Sequence, residues 1–328
     1  MTYRTSRRRA LQLGLAASLA APAIARAQQG WPAGPITWIN PFPAGGGTDV
    51  FARPLAAQVG DQLGVQIIVD NKGGAGGTVG ASQAAKMKPD GQTFLVGAVH
   101  HTIAPSIYKT LDYDLEKNFE PITMIALVPQ VISINSNRLK VKTAAELIEY
   151  IKKNPGKVNY ASAGAGTAHH LAGELFKLET RTDIVHVPYR GAGPAMQDLL
   201  AGNADMMFDG MGTSAQQIKA GKLLGLAVAT QKRTAEFPDM PTAAEIGVPN
   251  WIVSTWYGLW AIKGTPQPIV DRMYQEIVKA LQSPKLQAIW KEQTAQLGGE
   301  TPQEFAKRIR SEIEKWQKVV DAAGVKLD

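Results

Sequence analysis

The sequence predicts an α/β fold divided into two lobes, and three observations support this prediction. Strand-like apolar runs alternate with helical patterns along the chain, which is typical of largely parallel sheets. A length of 328 residues is enough to form two lobes. Two loops rich in small residues, at 39–49 and 159–170, are built alike, and each follows a strand and leads into a helix.

The first part of the chain alternates strands with helices. Strands are predicted at 36–40, 65–70 and 93–99, and helices at 50–59 and from the glycines of 73–77 to about residue 87. A long β-rich run at 122–135 contains Pro129. Because proline lacks the N–H group that a central strand donates, Pro129 is expected to mark a crossing between the lobes.

The rest of the chain continues the alternation. Thr143 and Glu146 form a capping box that begins a helix ending near Lys153. Thr242 and Glu245 repeat that pattern. Further strands are predicted at 158–161, 184–187, 206–209, 224–230 and 255–262. Helices are predicted to begin at 265–266 and 301–304, the last with residues 305, 309, 313, 316 and 320 on one apolar face.

Residues 1–27 are predicted to be an export signal peptide. Arg4 and the arginines at 7–9 precede an apolar stretch at 10–24, and Ala25-Arg26-Ala27 has the small-x-small pattern of a cleavage site. The arginines permit a Tat-like or a Sec route, and a soluble amphipathic helix is the alternative. No later apolar run is long enough to span a membrane.

The net charge of +7 does not indicate a nucleic-acid-binding protein. Five of the 35 basic residues lie within 1–27, and the remaining 30 face 28 acidic residues. The mature chain is therefore close to neutral, and no nucleic-acid partner is expected. The chain has no cysteine, so its stability outside the cytoplasm would depend on its core alone.

The two similar loops are candidate anion sites. In each, a strand leads through small residues to a helix whose first N–H groups are free to bind an anion. The glycines allow close approach of the backbone, and a Thr or Asp stands at the helix entry. The residues concerned are Gly45, Gly46, Gly47, Thr48 and Asp49 in one loop and Ser162, Gly164, Gly166 and Thr167 in the other. The alternative is that both are ordinary tight turns.

Other kinds of site fit the sequence less well. No glycine loop has the dinucleotide-binding spacing, and no Gly-Lys-Ser/Thr follows one, so no cofactor is predicted. The adjacent pairs His100-His101 and His169-His170 lack metal-ligand spacing. On a strand, one member of each pair would face a cleft and could bind a ligand by a hydrogen bond. Because of this spacing no metal site is predicted. No catalytic residue is predicted either, because no general base for Ser162 is marked in the sequence.

Three further polar residues follow predicted strands. Tyr189 and Arg190 precede a glycine turn, where the Arg190 guanidinium could pair with a carboxylate or form a structural salt bridge. Asp209 ends another strand and could accept a ligand proton or fix a loop.

The chain resembles the substrate-binding proteins of tripartite tricarboxylate transporters, the Bug family of extracytoplasmic receptors. The resemblance covers nearly all of the mature chain. It rests on residues 41–49, 69–77, 89–91, 160–164, 166–167, 170–176, 187–191, 218–222 and 238–242.

This resemblance implies a two-lobed periplasmic-binding-protein (Venus flytrap) fold with two crossing strands as the hinge. Residues 28–125 and 245–328 would form lobe 1, and residues 126–244 lobe 2. The protein would be a periplasmic monomer, not an enzyme. It would deliver a small organic carboxylate, such as a di- or tricarboxylate or an aromatic acid, to membrane permease subunits. The alternatives are a periplasmic sensory receptor with the same site, or a hydrolase or lyase using Ser162, His170 or Asp209.

The resemblance also implies which residues contact the ligand, largely through main-chain groups. These are Phe42, Gly46, Gly47, Thr48 and Asp49 in lobe 1 and Ser162, Gly164, Gly166, Thr167 and His170 in lobe 2, with Tyr189, Arg190 and Asp209 in addition. The identity of the acid is left open, because its size would depend on other residues of the cleft, with His100, His101, Trp251 and Trp256 as candidates.

Overall fold

The computed structural model describes residues 30–324. The predicted export signal at 1–27 lies outside these residues. Within them, no helix is both long and apolar enough to cross a membrane.

The chain alternates strands and helices as the sequence predicts. The strands are β1 (Ile36–Asn40), β2 (Ile67–Asn71), β3 (Thr93–Ala98), β4 (Phe119–Ile134), β5 (Asn159–Ser162), β6 (Val185–Pro188), β7 (Met206–Gly210), β8 (Leu224–Val228), β9 (Ser254–Ile262) and β10 (Gln296–Leu297). The helices are α1 (Gly47–Leu63), α2 (Thr78–Ala85), α3 (His100–Ile107), α4 (Leu115–Asn118), α5 (Ala144–Lys153), α6 (Ala168–Thr180), α7 (Ala192–Ala201), α8 (Met211–Lys219), α9 (Gln267–Leu281), α10 (Pro284–Lys291) and α11 (Pro302–Ala323).

The strands form two groups that share β4. In lobe 1 the strand order is β2-β1-β3-β9-β4, and β10 also pairs with the first part of β4. In lobe 2 the order is β4-β7-β5-β6, and β8 also pairs with the last part of β4. Strands β1 to β3 are parallel to one another, as are β5 to β7. Their carboxyl ends, where α/β proteins place their ligand sites, therefore lie at one edge of each lobe.

Strand β4 crosses from one lobe to the other at Pro129. Residues up to Pro129 pair with β9, and residues from Gln130 onward pair with β7. Strand β8 also pairs with β4 from Val131 onward, so β7 and β8 replace β9 as the partners of β4 beyond Pro129. The sequence prediction that Pro129 marks a crossing is confirmed, since a residue without an N–H is tolerated where the pairing changes.

The C-terminal helix α11 packs against α3 and the sheet of lobe 1. Its N-terminus is the predicted capping box, in which the Thr301 hydroxyl accepts from Glu304 N–H and the Glu304 carboxylate accepts from Thr301 N–H. Phe305, Ile309, Trp316 and Val320 are buried on its apolar face. The last helix therefore supports α3, which carries His100.

One predicted helix start does not lead to a helix. Thr242 and Glu245 form the reciprocal hydrogen bonds of a capping box, but residues 243–247 form turns. Gly247 adopts a left-handed conformation with φ 78°, and Pro249 follows it. Both residues prevent a helix from continuing, and five residues are too few to establish one.

Candidate functional site

A small cavity lies between the two lobes at the carboxyl ends of their parallel strands. Its volume is about 30 Å³. This is room for about one or two water molecules, so an organic acid would have to enter while the lobes are apart. The cavity is lined by Phe42, Gly46, Gly47, Thr48, Ala98, Val99, His100, Thr255 and Tyr257 from lobe 1, and by Ala163, Thr167, Ala168, His169 and Ala192 from lobe 2.

Four helices begin at this cavity, two from each lobe. Gly47, His100, Ala168 and Ala192 are the first residues of α1, α3, α6 and α7, and all four line the cavity. The first N–H groups of a helix have no partner within it, and the helix dipole places partial positive charge there. No acidic side chain is among the described residues that line the cavity. The arrangement is therefore suited to a small anion.

The loop between β1 and α1 is held by the buried carboxylate of Asp49. This group accepts hydrogen bonds from Gly45 N–H (3.1 Å), Arg53 Nε (2.8 Å), Asn71 Nδ2 (3.0 Å) and Asn40 Nδ2 (3.3 Å). The side chain therefore joins the loop to β1, β2 and α1. Burial acts to raise the pKa of Asp49, but the hydrogen bonds from Arg53, Asn71 and Gly45 outweigh it and lower the pKa, which keeps the group ionised.

The loop between β5 and α6 is held by uncharged groups. The Thr167 hydroxyl donates to the Gly164 carbonyl oxygen (2.7 Å) and accepts from His170 N–H (3.4 Å) as the helix N-cap. His170 Nδ1 accepts from Gly166 N–H (3.2 Å). These bonds determine the path of the loop that carries Ala163 and His169 to the cavity.

Ser162 has a histidine partner that the sequence analysis missed. Its Oγ lies 2.6 Å from His186 Nε2 and accepts from Gly164 N–H (3.1 Å). The two residues lie on adjacent parallel strands 24 positions apart, and nothing local in the sequence marks that pairing. Ser162 is fully buried and does not line the cavity, so its hydroxyl fixes the loop.

The two lobes touch directly beside the cavity. The hydroxyl of Tyr108, which follows α3, donates to the carbonyl oxygen of Ala75 in lobe 1 (3.0 Å) and lies 3.4 Å from that of Ala165 in lobe 2. Gly193 of α7 lies so close to the first loop that a Cβ atom there would be 2.7 Å from the Ala44 carbonyl oxygen. The structure therefore has the lobes closed on each other.

The predicted contact residues fall into two groups. Those that line the cavity are Phe42, Gly46, Gly47, Thr48 and Thr167. Those that do not line it are Asp49, Ser162, Gly164, Gly166, His170, Tyr189, Arg190 and Asp209. Tyr189 donates to Asp198 (2.7 Å), and Arg190 is exposed. Several members of the second group shape the loops.

The cavity also has lining residues that sequence reasoning missed, among them Thr255 and Tyr257. Both lie on β9, which follows the second loop by many residues but pairs between β3 and β4. The His pairs do not lie on strands, because His100 and His169 lie in the first turns of α3 and α6.

The histidines next to the cavity belong to two buried groups. His100 Nε2 lies 3.0 Å from His101 Nε2, and His101 Nδ1 lies 2.9 Å from the Tyr113 hydroxyl. Burial lowers the pKa of His100 well below its usual value, and the neighbouring His101 and His169 lower it further. Burial lowers the pKa of His101 to about 3. Both imidazoles are therefore neutral near pH 7.

His169 lies next to Asp209 in lobe 2. Their nearest side-chain atoms, Nδ1 and Oδ1, are 3.7 Å apart. Burial lowers the pKa of His169 while Asp209 opposes that change. Burial raises the pKa of Asp209, against the effects of His169 and of the hydroxyls of Ser214 and Thr213. Within residues 30–324, no three His, Cys, Asp or Glu side chains are grouped so as to hold a metal ion.

Comparisons with known proteins agree on one family. The family model for the tripartite tricarboxylate transporter family receptor matches residues 51–325. The chain is 37% identical to protein BugT of Bordetella pertussis over 313 residues, which are 95% of both chains.

Solved structures of the same type are similar over nearly the whole chain. The periplasmic binding protein BugD has a TM-score of 0.86 and 37% identity, covering 90% of this chain and 99% of its own. MatC of Rhodopseudomonas palustris, solved with bound malate, has a TM-score of 0.84 and 31% identity, covering 88% and 100%. An R. palustris protein solved with adipate has a TM-score of 0.87 and 34% identity, covering 90% and 99%. The chain therefore belongs to the tripartite tricarboxylate transporter receptor family, whose Bug-type members are two-lobed periplasmic solute-binding proteins and not enzymes.

Proposed function

We propose that this protein captures a small organic carboxylate between its lobes and delivers it to the membrane permease subunits of a tripartite transporter. The observation that carries this proposal is the convergence of four helix N-termini, two from each lobe, on a cavity without acidic side chains. Because a carboxylate can engage all four only when the lobes are closed, its binding favours closure. Closure in turn would distinguish a loaded receptor from an empty one.

The carboxylates bound to two relatives support the choice of ligand class. One relative is solved with malate and one with adipate. In this proposal the acid is held by the predicted residues that line the cavity, which are Phe42, Gly46, Gly47, Thr48 and Thr167. The other predicted residues contribute through the loops; these are Asp49, Ser162, Gly164, Gly166, His170, Tyr189, Arg190 and Asp209.

The cellular arrangement is part of the same proposal. Residues 1–27 direct export to the periplasm and are then removed, and the mature protein acts as a monomer. Lobe 1 is formed by residues 28–125 and 245–328, and lobe 2 by residues 126–244. The change of pairing partner at Pro129 supports a boundary close to this point.

Thermal unfolding with five acids tests the proposal. Acetate, malate, adipate, citrate and benzoate represent mono-, di-, tri- and aromatic carboxylates. At about 100 times Kd, a bound acid stabilises the folded protein by roughly 2.7 kcal/mol, which raises Tm by several degrees. At least one acid is expected to give that shift and a saturable heat of binding by calorimetry. The absence of any shift across the five would contradict the proposal, and conversion of the bound acid during long incubation would favour a hydrolase or lyase.

A further inference from the structure

Two imidazoles, one from each lobe, face the cavity in addition to the backbone groups. His100 and His169 both line it, and both are about 5% exposed, at 5% and 6%. His169 is close enough to His100 to lower the pKa of His100 further. A ligand held by the helix N-termini would therefore also meet these two side chains.

The hydrogen-bond chain behind His100 favours one orientation of its protons. If the Tyr113 hydroxyl donates to His101 Nδ1, the neutral His101 carries its proton on Nε2 and donates it to His100 Nε2. His100 then carries its own proton on Nδ1, which has no hydrogen-bond partner within residues 30–324. The opposite orientation would leave the Tyr113 proton without an acceptor among those residues. The favoured one leaves His100, which lines the cavity, with an N–H that is available as a donor.

His169 has an incomplete pairing with a buried acid. His169 Nδ1 and Asp209 Oδ1 are both buried and have no hydrogen-bond partner, and their separation of 3.7 Å is too long for a hydrogen bond. The other oxygen of Asp209 accepts from the Ser214 hydroxyl (2.6 Å) and from Thr213. A buried donor and a buried acceptor left unpaired at this distance each cost free energy. A small movement of the imidazole, combined with its protonation, would satisfy both atoms.

We propose that His100 and His169 form the side-chain part of the binding site, and that the acid is captured together with one proton, which His169 holds between the carboxylate and Asp209. This inference rests on the proposed function. Protonated His169 donates from Nδ1 to Asp209 and from Nε2 toward the acid, and the proton comes from solvent. The acid therefore does not bring an uncompensated negative charge next to buried Asp209.

The proposal determines the sign of the pH dependence. The titratable groups that face His169 are Asp209 from β7 and His100 from α3, and Tyr257 of β9 lies near Asp209. Burial lowers the pKa of His169 in the free protein, and a bound anion raises it. Between these two pKa values binding takes up a proton, so affinity falls as pH rises, by up to about tenfold per pH unit.

Calorimetry tests this with the acid that binds most tightly among acetate, malate, adipate, citrate and benzoate. Titrations in buffers of different ionisation enthalpy, between about pH 7 and 8.5 where the carboxyl groups of these acids are largely ionised, give the number of protons taken up. Wild-type protein is expected to take up as much as about one proton. His169→Gln should still bind, more weakly, with an affinity that does not vary with pH, and Asp209→Asn should take up no proton. His100→Leu, which removes the donor, should bind about tenfold more weakly.

Asp205→Asn is the matched control, because Asp205 is a buried aspartate of the same lobe that bonds Asn159 and Arg138 away from the cavity. It should keep the wild-type proton uptake. Wild-type binding without proton uptake, or uptake that persists in His169→Gln, would overturn the inference and leave the proposed function intact. If none of the five acids binds, the proposed function itself fails. If a variant does not fold, the number of protons that the wild-type protein takes up on binding is by itself the test of the inference.

Discussion

The two loops that meet at the cavity have the same backbone plan but different anchors. The first loop, residues 41–46, is fixed by an ionised carboxylate, Asp49, with Arg53 as its charged partner. The second loop, residues 163–167, is fixed by the hydroxyls of Ser162 and Thr167 and by neutral imidazoles. An anchor that bears charge and one that bears none can hold equivalent anion sites. They should nevertheless differ in their response to mutation and to pH.

Removal of the charged anchor should have the largest effect. Asp49→Ala leaves four donors without their acceptor, and all four of these hydrogen bonds are buried or partly buried. The free energy of unfolding in urea should fall by at least about 2 kcal/mol. Asp70→Ala is the control, because Asp70 pairs with Lys72 on the exposed surface. Its effect should stay within about 0.5 kcal/mol, and equal losses would contradict the role given to Asp49.

The same anchor should make the first loop sensitive to acid. Hydrogen bonds lower the pKa of Asp49 in the folded protein despite its burial. Its contribution is therefore complete above the pKa of the unfolded chain and is lost as pH falls through the pKa of the folded state. The stability difference between wild type and Asp49→Asn should accordingly shrink on acidification.

A methyl group placed where α7 meets the first loop should weaken binding without harming the fold. In Gly193→Ala the new Cβ would lie 2.7 Å from the Ala44 carbonyl oxygen, so the lobes could not close fully. We expect at least about a tenfold loss of acid affinity, while stability does not fall because alanine favours a helix over glycine. Gly221→Ala should do the opposite, since its φ is 66° and open space surrounds it. It should lower stability by about 1 kcal/mol and leave binding unchanged.

Removal of the uncharged anchor should have the smallest effect. Ser162→Ala loses the bonds to His186 and from Gly164 N–H, and stability should fall by about 1 kcal/mol. Ser106→Ala is the matched control, because the Ser106 hydroxyl is buried without a partner and has no bond to lose. A loss at Ser162 as large as that at Asp49 would remove the contrast between the two loops.

Local patterns were sufficient to predict most elements and the paired loops. Strand and helix periodicity, the proline at the crossing and the capping box at Thr301 each depend on neighbours in sequence. The contributions of His186, Thr255 and Tyr257 depend instead on which strands pair. Strand order is set by the packing of the whole sheet, so no short segment reveals it. The same limit applies to Asn71 of β2, which donates a hydrogen bond to Asp49 of α1.

The position of β9 has a consequence for biosynthesis. Strands β4 to β8 leave the ribosome before residues 254–262, which are needed between β3 and β4. A nascent chain stopped just before β9 would contain every strand of lobe 2, while β3 and β4 would each keep an edge of unpaired backbone groups. A chaperone that recognises exposed strand edges would therefore find its target in lobe 1, the lobe that is begun first and completed last.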